Sequence, residues 1–210
     1  PSRIAGAIQA MADELQALDR QQHFDVFVLS DTRGDEAGRL EATAYRALSD
    51  ALTSVLPVYY LRRRENTARK AGNIADWVEG FGGAYQQFVI LDADSVMSGS
   101  TLVALTLAME RDANAGLIQT VPRLVGGHTL LQRLQQFASN TYGPAVAAGI
   151  AFWHRDQGNY WGHNAIIRTE AFASAAGLPD LPGRKPFGGH IMSHDMVEAV
   201  LLQRAGWGVH

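Results

Sequence analysis

Phe88-Val89-Ile90-Leu91-Asp92-Ala93-Asp94 is an apolar run that ends in two carboxylates spaced two residues apart. Four consecutive apolar residues before a polar step read as a buried strand that delivers side chains at its carboxyl end. Open α/β sheets hold their ligands at that end. In an extended tip, positions i and i+2 face the same way, so Asp92 and Asp94 can share one hard cation, with Mg²⁺ or Mn²⁺ the natural guest.

Outward from this run the pattern alternates. Ile4, Ile8, Met11, Leu15 and Leu18 recur at helical steps up to about Asp19. Phe24 to Leu29 reads as a strand that places Asp31 on a sheet edge, and a helix over 38–56 leads to a strand at 58–61. A helix over 72–81 precedes the quoted strand, and a helix over 99–111 and a strand over 116–121 follow it. Strand–helix alternation of this kind predicts an α/β fold with a mostly parallel central sheet flanked by helices. Beyond Pro122 the rhythm breaks: a helical stretch from Thr129, a Gly/Trp/His-rich passage over 158–164, a strand over 165–168, a loop over 178–189 and a helix over 195–205.

The 210 residues suit one domain, 47% hydrophobic and 19% charged. Residues 1–121 read as its nucleotide- and metal-binding half, and 122–210 as the half carrying acceptor and base. A formal net charge of -3 leaves no basic field for nucleic acid. Cysteine is absent, which excludes thiolate metal sites. No apolar run reaches the roughly 20 residues of a transmembrane helix. The chain opens on Pro1 and a helix where such a half normally opens on a strand, so a trimmed first strand is expected. A further strand is expected to begin at 206–210.

Several elements carry chemistry. Arg62-Arg63-Arg64-Glu65-Asn66 and Arg69-Lys70-Ala71-Gly72-Asn73 form a basic loop into a helix start, suited to phosphate, with Gly72 permitting close approach. A solvated basic loop is the competing reading. Asp195, in Ser193-His194-Asp195, stands before the apolar helix positions Met196, Val197, Val200 and Leu201, as an N-cap or as a general base. His163, His190 and His194 invite a zinc reading, but no Glu follows the first His of the spaced pair. The stretch from Thr129 through Trp153, with Leu130, Leu131, Leu134 and Phe137, fits core packing better than a membrane surface. Asp92-Ala93-Asp94-Ser95-Val96 also fits the nucleophile motif of haloacid-dehalogenase-like phosphatases, although two strands precede it and no later acidic pair follows. A non-catalytic nucleotide-binding module is a further alternative.

Taken in order, Asp31, Lys70-Ala71-Gly72-Asn73, Asp92-Ala93-Asp94 and Ser193-His194-Asp195 resemble the motifs of the processive family 2 inverting glycosyltransferases, which include cellulose and hyaluronan synthases. Tyr160-Trp161-Gly162-His163-Asn164 and Gly189-His190-Ile191-Met192-Ser193-His194-Asp195 resemble the bacterial branch that builds osmoregulated periplasmic glucans. The resemblance implies a GT-A-type fold and transfer of glucose from UDP-glucose to a β-1,2-glucan. It implies Asp31, Lys70, Asn73 and Asp92 for the nucleotide-sugar, Asp92 and Asp94 for the cation, and Asp195 as base. Trp161, Gly162, His163, Asn164 and His194 are expected around the donor or acceptor pocket. It also implies a multi-pass parent at the cytoplasmic face of an inner membrane. The chain departs from the family in carrying Ser-His-Asp for Thr-Glu-Asp and in lacking the Gln-x-x-Arg-Trp element, so it reads as an incomplete catalytic domain, inactive alone.

Overall fold

The computed structural model describes residues 2–184, 188–191 and 193–210. Lys185, Pro186 and Phe187 of the expected loop, and Met192 of the quoted motif, lie outside the described residues.

Helix α1 (Ser2–Ala17) buries Ile8, Met11, Ala12 and Leu15, an i, i+3, i+4, i+7 face. Strand β1 (Val26–Ser30) follows, then α2 (Asp35–Leu52), whose first turn carries Asp35 and Glu36 against the helix dipole, then β2 (Val58–Arg62). β1 and β2 pair in parallel, Val26 opposite Val58 through Ser30 opposite Arg62. Helix α3 (Arg69–Phe81) leads to β3 (Gln87–Ile90), and α4 (Gly99–Arg111), capped by the Ser98 hydroxyl, leads to β4 (Ala115–Gln119).

The later half supplies α5 (Leu130–Thr141), α6 (Gly143–His154), β5 (Ala165–Arg168), α7 (Thr169–Ala175), α8 (His194–Arg204) and β6 (Gly208–Val209). A four-stranded sheet runs β3-β5-β4-β6. The α/β class holds, as does the strand expected at the end of the chain. The sheet is mixed, however: β4 and β6 are parallel, while β5 runs antiparallel to both neighbours. The reason is local. Asn164 N–H bonds to Ile90 O at 2.7 Å, so the chain enters β5 beside the carboxyl end of β3 and runs back along it. Arg168 closes that return by donating to the carbonyls of Met109, Asp112 and Ala115.

One apolar cluster unites α1, α2 and α4 with β1 and β3, through residues such as Leu15, Tyr45, Leu52, Met97 and Met109. A second gathers α3, α7 and α8 on the other face, around Leu117, Ile167 and Leu202.

The stretch from Thr129 through Trp153 corrects an expectation. It is two helices, broken at Tyr142-Gly143-Pro144, where Pro144 sits in the first turn of α6 and lacks an N–H. Neither helix buries a residue: Leu130 is 77% exposed, Phe152 77% and Trp153 82%. Core packing therefore does not occur there, because the pair packs chiefly on itself. Among the described residues no helix is long and apolar enough to cross a membrane.

Candidate active site

β1 ends at Ser30 and β3 at Ile90, and each delivers a carboxylate just beyond. Asp31, Lys70, Asn73 and Asp92 line one cavity of about 610 Å³. Asp31 is held side-on by Arg63, with Nε 2.8 Å from Oδ1 and Nη2 3.0 Å from Oδ2. Arg63 also donates to Asp76 and to the carbonyls of Thr67 and Arg69, so the basic loop folds around one guanidinium. Ala68 and Arg69 accept positive φ to make that wrap.

α3 starts at Arg69, three residues earlier than expected, which puts Lys70 and Asn73 in its first two turns. Lys70 Nζ is ion-paired with Asp92 Oδ1, and Asn73 is buried beside it. Gly72 serves a different purpose from the one expected. A Cβ there would lie 2.1 Å from Thr67 O, so the glycine admits the loop backbone onto the helix.

The Asp92-Ala93-Asp94 tip also differs from the extended geometry expected. Ser95 N–H bonds to Asp92 O at 2.9 Å, so the two carboxylates sit on a turn, Asp92 half-buried and Asp94 exposed. Two carboxylates are a hard oxygen donor set that fits Mg²⁺ or Mn²⁺. Among the described residues no group of three or more His, Cys, Asp and Glu gathers. Asp92 and Asp94 thus offer part of a coordination sphere, with room for ligand or solvent oxygens.

Asp195 lies in the first turn of α8, two residues past the N-cap, which Ser193 occupies in its place. Its Oδ1 accepts from Ser193 Oγ and from Met196 N–H, both at 3.0 Å. Gly162, at φ +82°, faces its Oδ2, and a Cβ there would sit 3.4 Å away, so the glycine keeps the approach to the carboxylate open.

The Trp161–Asn164 passage is stitched to the end of β4. Gln119 accepts from Trp161 N–H and donates to the carbonyls of His163 and Asn164, while Thr120 Oγ1 donates to Asn164 O at 2.6 Å. Trp161 is half-exposed and Asn164 is buried with positive φ. Of this passage Gly162 is the residue set against Asp195, and His194 is its neighbour in α8.

Sequence reasoning missed four partners. Arg63 and Gln119 hold Asp31 and the 161–164 passage. Glu198 is 1% exposed, and its Oε1 lies 3.2 Å from His194 Nδ1. That bond raises the His194 pKa, against the opposing pull of burial; burial in turn pushes the Glu198 carboxyl up. Tyr160 is wholly buried, and burial, with Glu198, Asp195 and Asp92 nearby, pushes its phenol well above the usual range. The available signal for Glu198 was its i, i+4 spacing from His194 within an apolar helix. His190 pairs with Asp180, Nδ1 to Oδ1 at 2.6 Å, rather than with another histidine.

Among the described residues, Tyr160 Oη, Glu198 Oε2, His163 Nδ1 and Asn164 Oδ1 are buried without a hydrogen-bond partner.

No family model matches the chain. Curated proteins do, over its whole length. A protein named glucans biosynthesis glucosyltransferase H from Xylella fastidiosa is 56% identical over 210 residues, 100% of this chain and 33% of that protein. The chain belongs to this family. The protein of the same name from Xanthomonas euvesicatoria is 53% identical over the same span, and that from Vibrio cholerae is 53% identical over 209 residues, 29% of its length. The chain thus spans about a third of the length of the curated relatives it matches. Within the glucosyltransferase H family, the observed α/β architecture, with sheets flanked by helices, is compatible with a GT-A-type fold.

Proposed function

We propose that the protein is an inverting hexosyltransferase that moves glucose from UDP-glucose onto a growing β-1,2-glucan at the cytoplasmic face of a membrane. The observation that carries this reading is the gathering of Asp31, Lys70, Asn73 and Asp92 around one cavity at the carboxyl ends of β1 and β3, with Lys70 paired to Asp92.

In this reading the donor lies along Asp31, Lys70, Asn73 and Asp92. Lys70, already paired with Asp92, has the charge to hold a diphosphate oxygen. A divalent cation on Asp92 and Asp94 would supply charge neutralisation at the leaving diphosphate when bound. Asp195 accepts the proton of the acceptor hydroxyl. The freed oxygen forms its bond to the anomeric carbon as the carbon–oxygen bond to UDP breaks, UDP leaves with that electron pair, and α configuration becomes β. His194 stands beside the base, its Nδ1 3.2 Å from Glu198 Oε1. The 161–164 passage walls the sugar and acceptor.

Incubation of the full-length protein with UDP-glucose, UDP-galactose or UDP-N-acetylglucosamine, with Mg²⁺ or Mn²⁺, tests the reading. UDP release with UDP-glucose and a β-1,2-linked product support it. Binding of UDP without release from any donor supports a non-catalytic nucleotide-binding module, and phosphate release from a phosphomonoester through an aspartyl intermediate supports a phosphatase.

A further inference from the structure

Asp31 is fixed by more than its salt bridge to Arg63. β1 and β2 set Val28 opposite Tyr60 and Ser30 opposite Arg62. α2 meets these residues with Gly38, Glu41 and Tyr45, an i, i+3, i+7 face. The Tyr45 and Tyr60 rings stack with centroids 5.3 Å apart. Gly38 leaves room for Arg62, since a Cβ there would overlap the guanidinium. Arg62 in turn donates to the carbonyls of Thr32 at 2.9 Å and Gly34 at 3.0 Å.

The third member of that face, Glu41, belongs to no part of the mechanism above. Its Oε2 accepts from Ser30 Oγ at 2.7 Å and from Tyr60 Oη at 2.9 Å. Ser30 Oγ accepts from Thr32 N–H at 3.2 Å, a side-chain turn that bridges Asp31. Ser30 is 6% exposed, so water does not stand in for either bond. Burial works against a charged Glu41, yet the bonds from Ser30 and Tyr60 help bring its pKa below the ordinary 4.5. An ionised carboxylate accepts only, so the Ser30 proton goes to Glu41 and a Ser30 lone pair is left for Thr32.

We propose that Glu41 is a positioning residue of the donor site, which acts through Ser30 to set the turn that presents Asp31 to the nucleotide-sugar. The proposal rests on the donor-site reading above. Paired residues of β1 end at Ser30, so Asp31 stands just past the ladder and its direction is set by side chains. Arg63 holds the carboxylate, but Arg63 is itself tied to Asp76 and to the carbonyls of Thr67 and Arg69. Without the Glu41–Ser30 link, Asp31 follows the basic loop alone. With it, the backbone of Asp31 is referred to α2 and its carboxylate to the loop, and the two holds together aim it at the cavity it shares with Lys70 and Asp92. Small errors in the placement of a binding group carry a large loss. Ser30 and Tyr60 share one glutamate oxygen, so the carbonyl oxygen of a glutamine at 41 can take both bonds.

Calorimetric binding of UDP with Mg²⁺ to the full-length protein, beside thermal melts, tests the link. Glu41→Ala and Ser30→Ala each weaken UDP binding roughly tenfold, and the double variant binds no more weakly than either, because both changes break one connection. Glu41→Gln keeps UDP affinity within about twofold of the parent. Tyr60→Phe removes the other bond to the same oxygen, lowers the thermal midpoint and leaves UDP affinity unchanged, which a merely structural Glu41 would not allow. Losses that add in the double variant, or a Tyr60→Phe loss as large as that of Glu41→Ala, would overturn the proposal. If Glu41→Ala does not fold, Ser30→Ala decides, and parent affinity there overturns it. Asp31→Ala separates the two readings. Weakened UDP binding there beside parent affinity in Glu41→Ala overturns the positioning role alone, whereas parent affinity in Asp31→Ala overturns the donor-site reading and this proposal with it.

Discussion

His194 Nδ1 lies 3.2 Å from Oε1 of Glu198, one helical turn along α8, with the glutamate side chain only 2% exposed. The pair stands beside Asp195, so its protonation state sets the field at the proposed base. The Glu198 bond raises the His194 pKa above its ordinary 6.5, and burial raises that of Glu198 above its ordinary 4.5. In both, the folded state holds the proton more tightly than the unfolded chain. Stability from the pair is therefore complete below the unfolded values and declines as pH rises through the folded ones. Glu198→Gln should flatten the fall in urea midpoint between about pH 5 and about pH 8. An unchanged slope would remove the pair from the pH response.

Asp195→Asn in the full-length protein should lower glucose transfer by roughly 10²- to 10⁴-fold, with UDP-glucose binding retained, because only the proton acceptor is lost. Turnover at the parent rate would exclude Asp195 as base. Initial rates of UDP release, beside calorimetric binding, separate the two quantities.

Asp94→Asn should act on binding instead. Asp94 is exposed at the turn and free of the Lys70 pair that engages Asp92, so it is the carboxylate more open to a cation. UDP affinity measured with and without Mg²⁺ should differ in the parent and converge in the variant. Equal Mg²⁺ dependence in both would dismiss the metal role of Asp94.

Tyr160→Phe removes a hydroxyl that is buried without a partner among the described residues. Such a group costs desolvation and returns no bond, so its loss should leave the fold as stable or raise stability by about 1 kcal/mol. A drop of that size in chemical denaturation would show that the hydroxyl is bonded.

Phe152→Ser and Trp153→Ser should change folding stability by less than about 0.5 kcal/mol, since both side chains lie in solvent on α6. A loss of about 3 kcal/mol or more, as for a core aromatic, would put the hairpin inside the packed fold. Thermal and urea melts of both variants decide this.

What the amino-acid order settled by itself was periodic and local. Apolar spacing located α1, α4 and β5 to within two residues, and strand-then-carboxylate steps located Asp31 and Asp92, because burial on one face imposes a period that one dimension records. Relations across long separations were decided only by the tertiary structure. Arg63 locks Asp31 from 32 residues away, and Lys70 pairs with Asp92 across 22. Gln119 stitches the 161–164 passage, and β5 inserts backwards between β3 and β4. None of these leaves a period in the sequence. The α5–α6 pair shows the converse: its apolar pattern is that of a core helix, yet exposure depends on what covers a face, and the described residues leave it in solvent. The Asp92–Asp94 spacing predicted an extended tip, whereas its turn and its lysine partner follow from how the folded backbone brings α3 against the end of β3.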